Sequence, residues 1–479
     1  MKSSVGKGAT LGVFALAMIN VAAIVSPRNG PLMADYGWSM LFFLGCSVLL
    51  FLIPIAFASA ELATGWPKAG GVYAWVREAF GTRTGFLAVW CDWSENLTWF
   101  PTVLSFIAGS LAYAISPGLA SDNVFLVAVM LSVFWAATAL NFLRLDQSTR
   151  VATIGTILGA FVPILLLAGL AIAWFAKGEG SQIPFSGDAL MPQLSGQHLL
   201  FLGGILLSFA GMEMAGFHAL ETRNPRRDYP RAMLLASVII VGFSLAMSLS
   251  IALVVPAHEI SLLSGAMQAA QDMLDRLGIG ELVKPVAILL VLGGVAHLTP
   301  WILGPAKGLA AVARGGHLPP LLGRMSGNGV PVQGLLVQAV GGTVFCLLFL
   351  FLPDANTTYG ALTAMTAQVI VIMYVLIFAS VIRLRYTQPD TERGYRIPGG
   401  TPGVWFIAGA GIVACAFAFV AGFFPPGEWP SMDTGQRLTY YAVLLGGFAL
   451  LTAPPFLLRV LRREGWPAAE AAPALEEAT

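Results

Sequence analysis

Leu207-Ser208-Phe209-Ala210-Gly211-Met212-Glu213-Met214-Ala215-Gly216 lies in the middle of an apolar run covering roughly residues 197–219. It places a hydroxyl, a carboxylate and glycines where a membrane-crossing helix is otherwise apolar. Glycine weakens a helix because it loses the most backbone freedom on ordering, and a loosened turn frees N–H and C=O groups for a ligand. An ionisable group at membrane depth is costly, which makes Glu213 a functional candidate by default. A second reading stays open beside this one, in which the small residues only let a neighbouring helix approach closely.

Outward from this stretch the whole chain has a lipid-facing composition. Of its 479 residues, 57% are hydrophobic and 11% charged, against roughly 45–50% and about 25% in soluble domains, so an ordinary soluble enzyme is excluded. About twelve runs are long enough to cross a bilayer as helices, at approximately 9–27, 38–62, 85–115, 124–142, 151–176, 197–219, 232–256, 282–310, 331–352, 359–383, 402–425 and 437–459. They are continuous rather than short and alternating, which rules out barrel strands. With the N-terminus inside, 21 of the 26 Lys and Arg residues fall on the cytoplasmic side; Arg28, Lys177, Arg276, Lys284 and Arg437 are left outside. The expected protein is a multi-pass inner-membrane protein with both termini cytoplasmic. Its first apolar run has no small-residue cleavage site after it and reads as a retained helix.

The remaining composition closes off other classes. A net charge of +1 gives no footprint for nucleic acid. Cys46, Cys91, Cys346 and Cys415 are scattered in apolar runs, and the histidines lack ligand spacing, so neither a disulfide framework nor a metal site is expected. No cofactor motif is present, and no nucleophile stands with a base as an enzyme would require. No repeated filter segment suggests a channel. The partners that fit are the lipid bilayer and a small molecule; oligomeric state leaves no mark in the sequence.

Other polar groups fall inside apolar runs. Asp92 and Glu95 are in the third, His218 closes the sixth, and His297 is beside Thr299-Pro300-Trp301 in the eighth. Asp92 and His218 also suit interfacial positions, Glu95 can pair within the bundle, and His297 can be a hydrogen-bonded packing residue. The first run has its own interruption, Asn20 with Ala22 and Ala23 and then Ser26-Pro27. Two interrupted spans, each opening a five-helix half, point to an inverted-repeat transporter with its site at the midplane. The halves would cover about 9–176 and 197–383, followed by accessory helices over about 402–459 and a disordered tail at 464–479. After Gly70-Gly71, Val72 to Phe80 has apolar residues at helical spacing and suggests an interfacial helix.

These stretches resemble the amino acid-polyamine-organocation (APC) superfamily, and within it most of all the glutamate/GABA antiporter branch. Further matches are Glu221-Thr222-Arg223-Asn224-Pro225-Arg226-Arg227-Asp228-Tyr229-Pro230, Glu61-Leu62-Ala63 before Gly70-Gly71-Val72-Tyr73-Ala74-Trp75, Trp301-Ile302-Leu303-Gly304-Pro305, and Arg396-Ile397-Pro398-Gly399-Gly400. The resemblance implies an all-α membrane protein with a LeuT-like 5+5 inverted repeat plus two C-terminal helices. It also implies alternating access and exchange of amino acids or amines; glutamate/GABA antiport and proton-coupled amino acid uptake are the named alternatives.

Residue by residue, the resemblance makes Glu213 a gating or proton-coupling glutamate, Trp301 an aromatic near the substrate and Tyr374 a tyrosine on the path. Joined to the interrupted spans and buried polar groups, this gives a substrate-binding set of Asn20, Ala22, Ala23, Glu95, Ser208, Phe209, Ala210, Gly211, His297, Trp301 and Tyr374. The sequence departs from the family in two places. Asn20-Val21-Ala22 stands where the superfamily has Gly-Ser-Gly, and His297 stands where the branch tends to be acidic. With Glu95 and Asp92 as the charges near the site, neutral or cationic substrates are expected to be preferred over glutamate.

Overall fold

The computed structural model describes residues 11–67, 71–142, 157–192, 203–206, 208–216, 222–352, 354–423 and 433–461. His218 and the tail at 464–479 lie outside them. Among the described residues ten helices are long and apolar enough to cross a membrane, or eleven when a bent pair near the N-terminus counts as one. Each corresponds to an expected run. The run at 197–219 is described only in part.

The helices that position the site are α1 (Val13–Ile24), α2 (Gly30–Ala34), α3 (Gly37–Gly65), α4 (Val72–Phe80), α5 (Thr82–Ile115), α6 (Asn123–Asn141), α7 (Ile157–Ala176), α8 (Pro225–Ala252), α9 (Gly265–Leu277), α10 (Val283–Arg314), α11 (Val332–Leu347) and α12 (Ala355–Thr387). Two more, α13 (Gly400–Ala421) and α14 (Thr434–Thr452), pack on α12. The long α5 is buried along most of its length and packs against α10 and α12. This makes it the central post of the bundle.

The first membrane crossing is broken, and the break corrects the expected boundary. α1 ends at Ile24; Val25 and Ser26 are extended, and a single 3-10 turn over Pro27–Asn29 leads into α2 at 49° to α1. Proline explains this locally: its ring disfavours the α region for the residue before it, and its fixed φ suits the start of a new turn. The crossing therefore continues past 27 to Ala34. Asn20, Ala22 and Ala23 remain helical, and Arg28 falls inside the bend and not in an external loop.

The sixth run breaks where its glycine predicts. Residues 203–206 are helical, 208–213 form turns and 214–216 a 3-10 turn. Gly211 has φ +119°, a region open in practice only to glycine.

At the Arg-rich end of the bundle, Glu61 of α3 is fully buried. Arg385 of α12 donates to its carboxylate from Nε at 2.5 Å and from Nη2 at 2.6 Å, and the Ile397 N–H donates at 2.8 Å. Arg393 Nε lies 3.3 Å away, while its Nη atoms donate to the carbonyls of Leu384, Gln388, Pro389 and Thr391. The Glu61-Leu62-Ala63 and Arg396-Ile397-Pro398 stretches thus belong to one lock joining α3, α12 and the link to α13.

Near that end, the apolar face of α4 is buried within the bundle. Trp75 is 1% exposed and stands so close to Gly216 that a Cβ there would lie 2.4 Å from the indole. The amphipathic pattern read as interfacial is therefore satisfied by protein. At the opposite end α9 buries Ala266, Met267, Ala270 and Met273, with Gly265 against Pro31 at the start of α2. Along the flank, α7 and α10 meet main chain to main chain: a Cβ on Gly159 would lie 1.7 Å from the Gly293 Cα, and one on Gly293 would lie 2.1 Å from the Gly159 Cα.

Candidate functional site

A cavity lies where the two broken segments face α5, α10 and α12. The α1–α2 bend contributes Ala23, Ser26 and Arg28, and the unwound sixth segment contributes Ser208, Ala210 and Glu213. α5 contributes Asp92, Glu95, Trp99 and Thr102, α10 contributes His297 and Trp301, and α12 contributes Tyr359, Thr363, Thr366 and Tyr374. The helical contributions follow single faces. On α5 the spacing is 3, 4 and 3 residues, and on α12 it is 4, 3 and 8, as a 3.6-residue period requires.

Glu213 is joined to the backbone that its own segment releases through Tyr374. Its carboxylate accepts from the Tyr374 hydroxyl, at 3.0 Å to Oε1 and 3.1 Å to Oε2. The Gly211 N–H also donates to the Tyr374 oxygen at 3.0 Å. One hydroxyl of α12 thus spans the break and fixes the carboxylate. Phe51 packs edge-on against the Tyr374 ring with centroids 5.0 Å apart, limiting its rotation.

Glu95 is 5% exposed and Asp92 half-buried, and among the described residues neither carboxylate receives a hydrogen bond. Both sit on the cavity wall with Glu213, so three carboxyl groups collect at this end. The aromatic wall is Trp99 with His297 at 5.8 Å and Trp301 at 5.4 Å between ring centroids. A cation is present too. Arg28 Nη1 donates to Thr102 Oγ1 at 2.6 Å and to the Tyr359 hydroxyl at 3.4 Å, with the guanidinium carbon 5.7 Å from the Trp99 ring centre.

Among the residues anticipated from sequence, Ala23, Glu95, Ser208, Ala210, His297, Trp301, Tyr374 and Glu213 meet at the cavity. Asn20, Ala22, Phe209 and Gly211 stand behind its wall. Asn20 Oδ1 accepts the Ala215 N–H at 2.9 Å, and its Nδ2 faces Met233 Sδ at 3.3 Å, so it pins the sixth segment from α1. Phe209 is fully buried, and Gly211 supplies the backbone turn. Arg28, Trp99, Thr102 and Tyr359 were not anticipated. The face spacing from Asp92 could have found Trp99 and Thr102. Arg28 would have needed the first span to be read through Pro27 as a kinked crossing.

The amino acid permease family model matches residues 9–448. The chain is 37% identical to an uncharacterized transporter of Legionella pneumophila, over 93% of this chain and 96% of that protein. It is 28% identical to a glutamate/gamma-aminobutyrate antiporter of Lactococcus lactis, over 94% and 90%. It is 22% identical to a probable agmatine/putrescine antiporter of Lactococcus lactis, over 76% and 78%.

Proposed function

The chain belongs to the amino acid permease family, within the APC superfamily, and from that premise we propose that it exchanges amino acids or amines across the inner membrane by alternating access. The observation that carries this reading is the meeting of two broken crossings at one polar cavity, with the Tyr374 hydroxyl joining Glu213 to the released Gly211 N–H. Broken helices present partial charges at membrane depth, where a charged small molecule would otherwise have no solvation. In this reading the two halves at about 9–176 and 197–383 form the inverted repeats. Both termini are cytoplasmic, following the distribution of Lys and Arg.

Residues at the wall, Ala23, Glu95, Ser208, Ala210, His297, Trp301 and Tyr374, contact substrate. Asn20, Ala22, Phe209 and Gly211 shape the break from behind. Glu213 couples gating or a proton to the movement, because the Tyr374 bridge ties α12 to the unwound segment and must loosen when they separate.

A finer reading, exchange of an acidic amino acid for its decarboxylated product, is supported by the name of the Lactococcus lactis glutamate/gamma-aminobutyrate antiporter and by the presence of both charge signs in the cavity. Counterflow in proteoliposomes tests the exchange. Labelled substrate should enter faster when unlabelled substrate is inside, and uptake that follows an imposed proton gradient without trans-stimulation would replace exchange by proton-coupled uptake.

A further inference from the structure

The cavity has carboxyl groups at one end and a guanidinium at the other. Glu95 and Thr102 lie on one face of α5 seven residues apart, about 10 Å along the axis at a rise of about 1.5 Å per residue. The carboxylates Asp92, Glu95 and Glu213 mark one pole, and Arg28, held on Thr102, marks the other. Arg28 is incompletely used. Its Nη1 meets two neutral hydroxyls, its Nε is buried without a hydrogen-bond partner, and among the described residues no carboxylate lies within 4.0 Å of it. A guanidinium at membrane depth lacking an anion is expensive, and its planar donor fork matches a carboxylate. The hydroxyls and the Trp99 ring position the group without neutralising it.

We infer that Arg28 is the specificity-determining residue of the transport site: it takes the carboxylate of a zwitterionic substrate whose ammonium group sits at the Glu95 end. The substrate class is therefore the short ammonium carboxylates with the two charges at opposite ends of a carbon chain. Glutamate and γ-aminobutyrate both qualify, because the same run of carbons separates ammonium from distal carboxylate in each. One two-pole site can then serve both directions of an exchange. This assignment rests on the exchange reading above, and it admits glutamate, against which Glu95 and Asp92 alone are expected to discriminate.

The test uses matched acid and amide pairs, glutamate with glutamine and γ-aminobutyrate with γ-aminobutyramide, as competitors in counterflow and as ligands in thermal-shift titrations of the purified chain. Wild type is expected to prefer each acid over its amide by roughly tenfold or more, as a charge-assisted bond lost for a neutral one implies. Arg28→Gln should bring that ratio close to unity while leaving amide binding in place. Arg28→Lys keeps the charge without the fork and should reduce the ratio only in part, which also serves if the Gln variant fails to fold. An acid-to-amide ratio unchanged in either variant, or absent in wild type, overturns the assignment. Binding of amines such as agmatine or putrescine without any of the acids overturns it while sparing the exchange reading. No binding or exchange by any of these compounds sinks both.

Discussion

Glu61 and Glu95 are both carboxylates inside the bundle, and their surroundings are opposite. Glu61 accepts a two-pronged contact from Arg385 and a backbone N–H from Ile397, with Arg393 beside it. Glu95 faces a cavity with no described hydrogen bond, and Arg28 at the far end of that cavity meets only hydroxyls and leaves its Nε unused. Low dielectric makes an unpartnered charge costly and a fully partnered one rigid. The saturated cluster is thus built to hold elements together. The unsaturated one keeps its capacity for something that arrives and leaves.

The sharpest way to break this contrast is Glu61→Gln, which strands two guanidinium groups. Removing one partner of a buried pair costs about 3–5 kcal/mol, so we expect a large fall in thermal stability in detergent and a low yield of folded protein. A Gln variant that melts like wild type yet loses transport would move Glu61 into the functional class. Asn20→Ala should come next. It leaves the Ala215 N–H buried without its acceptor, a loss of about 1–3 kcal/mol, measurable in the same melting assay. Wild-type stability with altered substrate affinity would instead place Asn20 in contact with substrate.

Glu213→Gln reverses the pattern. Because the amide can still accept from Tyr374, we expect stability within about 1 kcal/mol of wild type, with counterflow slowed by roughly tenfold, about 1.4 kcal/mol, and its pH response flattened. An unchanged rate across pH would reduce Glu213 to packing. Tyr374→Phe should be the mildest, removing one hydroxyl that bridges Gly211 and Glu213 at about 0.5–1.5 kcal/mol. Its melting point should drop slightly and its exchange rate moderately. A loss of exchange equal to that of Glu213→Gln would show that the hydroxyl and the carboxylate act as one unit.

Long-range order in this molecule is legible wherever one physical signal dominates. Hydrophobic length located the crossings, and Gly211 marked the sixth break because only glycine supplies its φ of +119°. The first break was misplaced because Pro27 resembles the end of a run when the apolar α2 beyond it is too short to register. That single misreading moved Arg28 from the cavity to a loop and removed its charge from the site. Asp92 illustrates a second limit: depth along a helix follows from counting, but the neighbour that a face meets does not. The saturation of Glu61 depends on residues more than three hundred positions away, which composition and periodicity do not pair.

The meeting of Gly159 and Gly293 bears on how such a bundle can move. Packed helices normally mesh like gears, each side-chain ridge seated in an opposing groove, and sliding one past the other means climbing over teeth. Where Gly159 of α7 faces Gly293 of α10, both surfaces are bare backbone. At this one point no side-chain tooth stands between α7 and α10, the helix that carries His297 and Trp301 to the cavity. Alanine at either glycine would add the missing tooth and prise the pair apart.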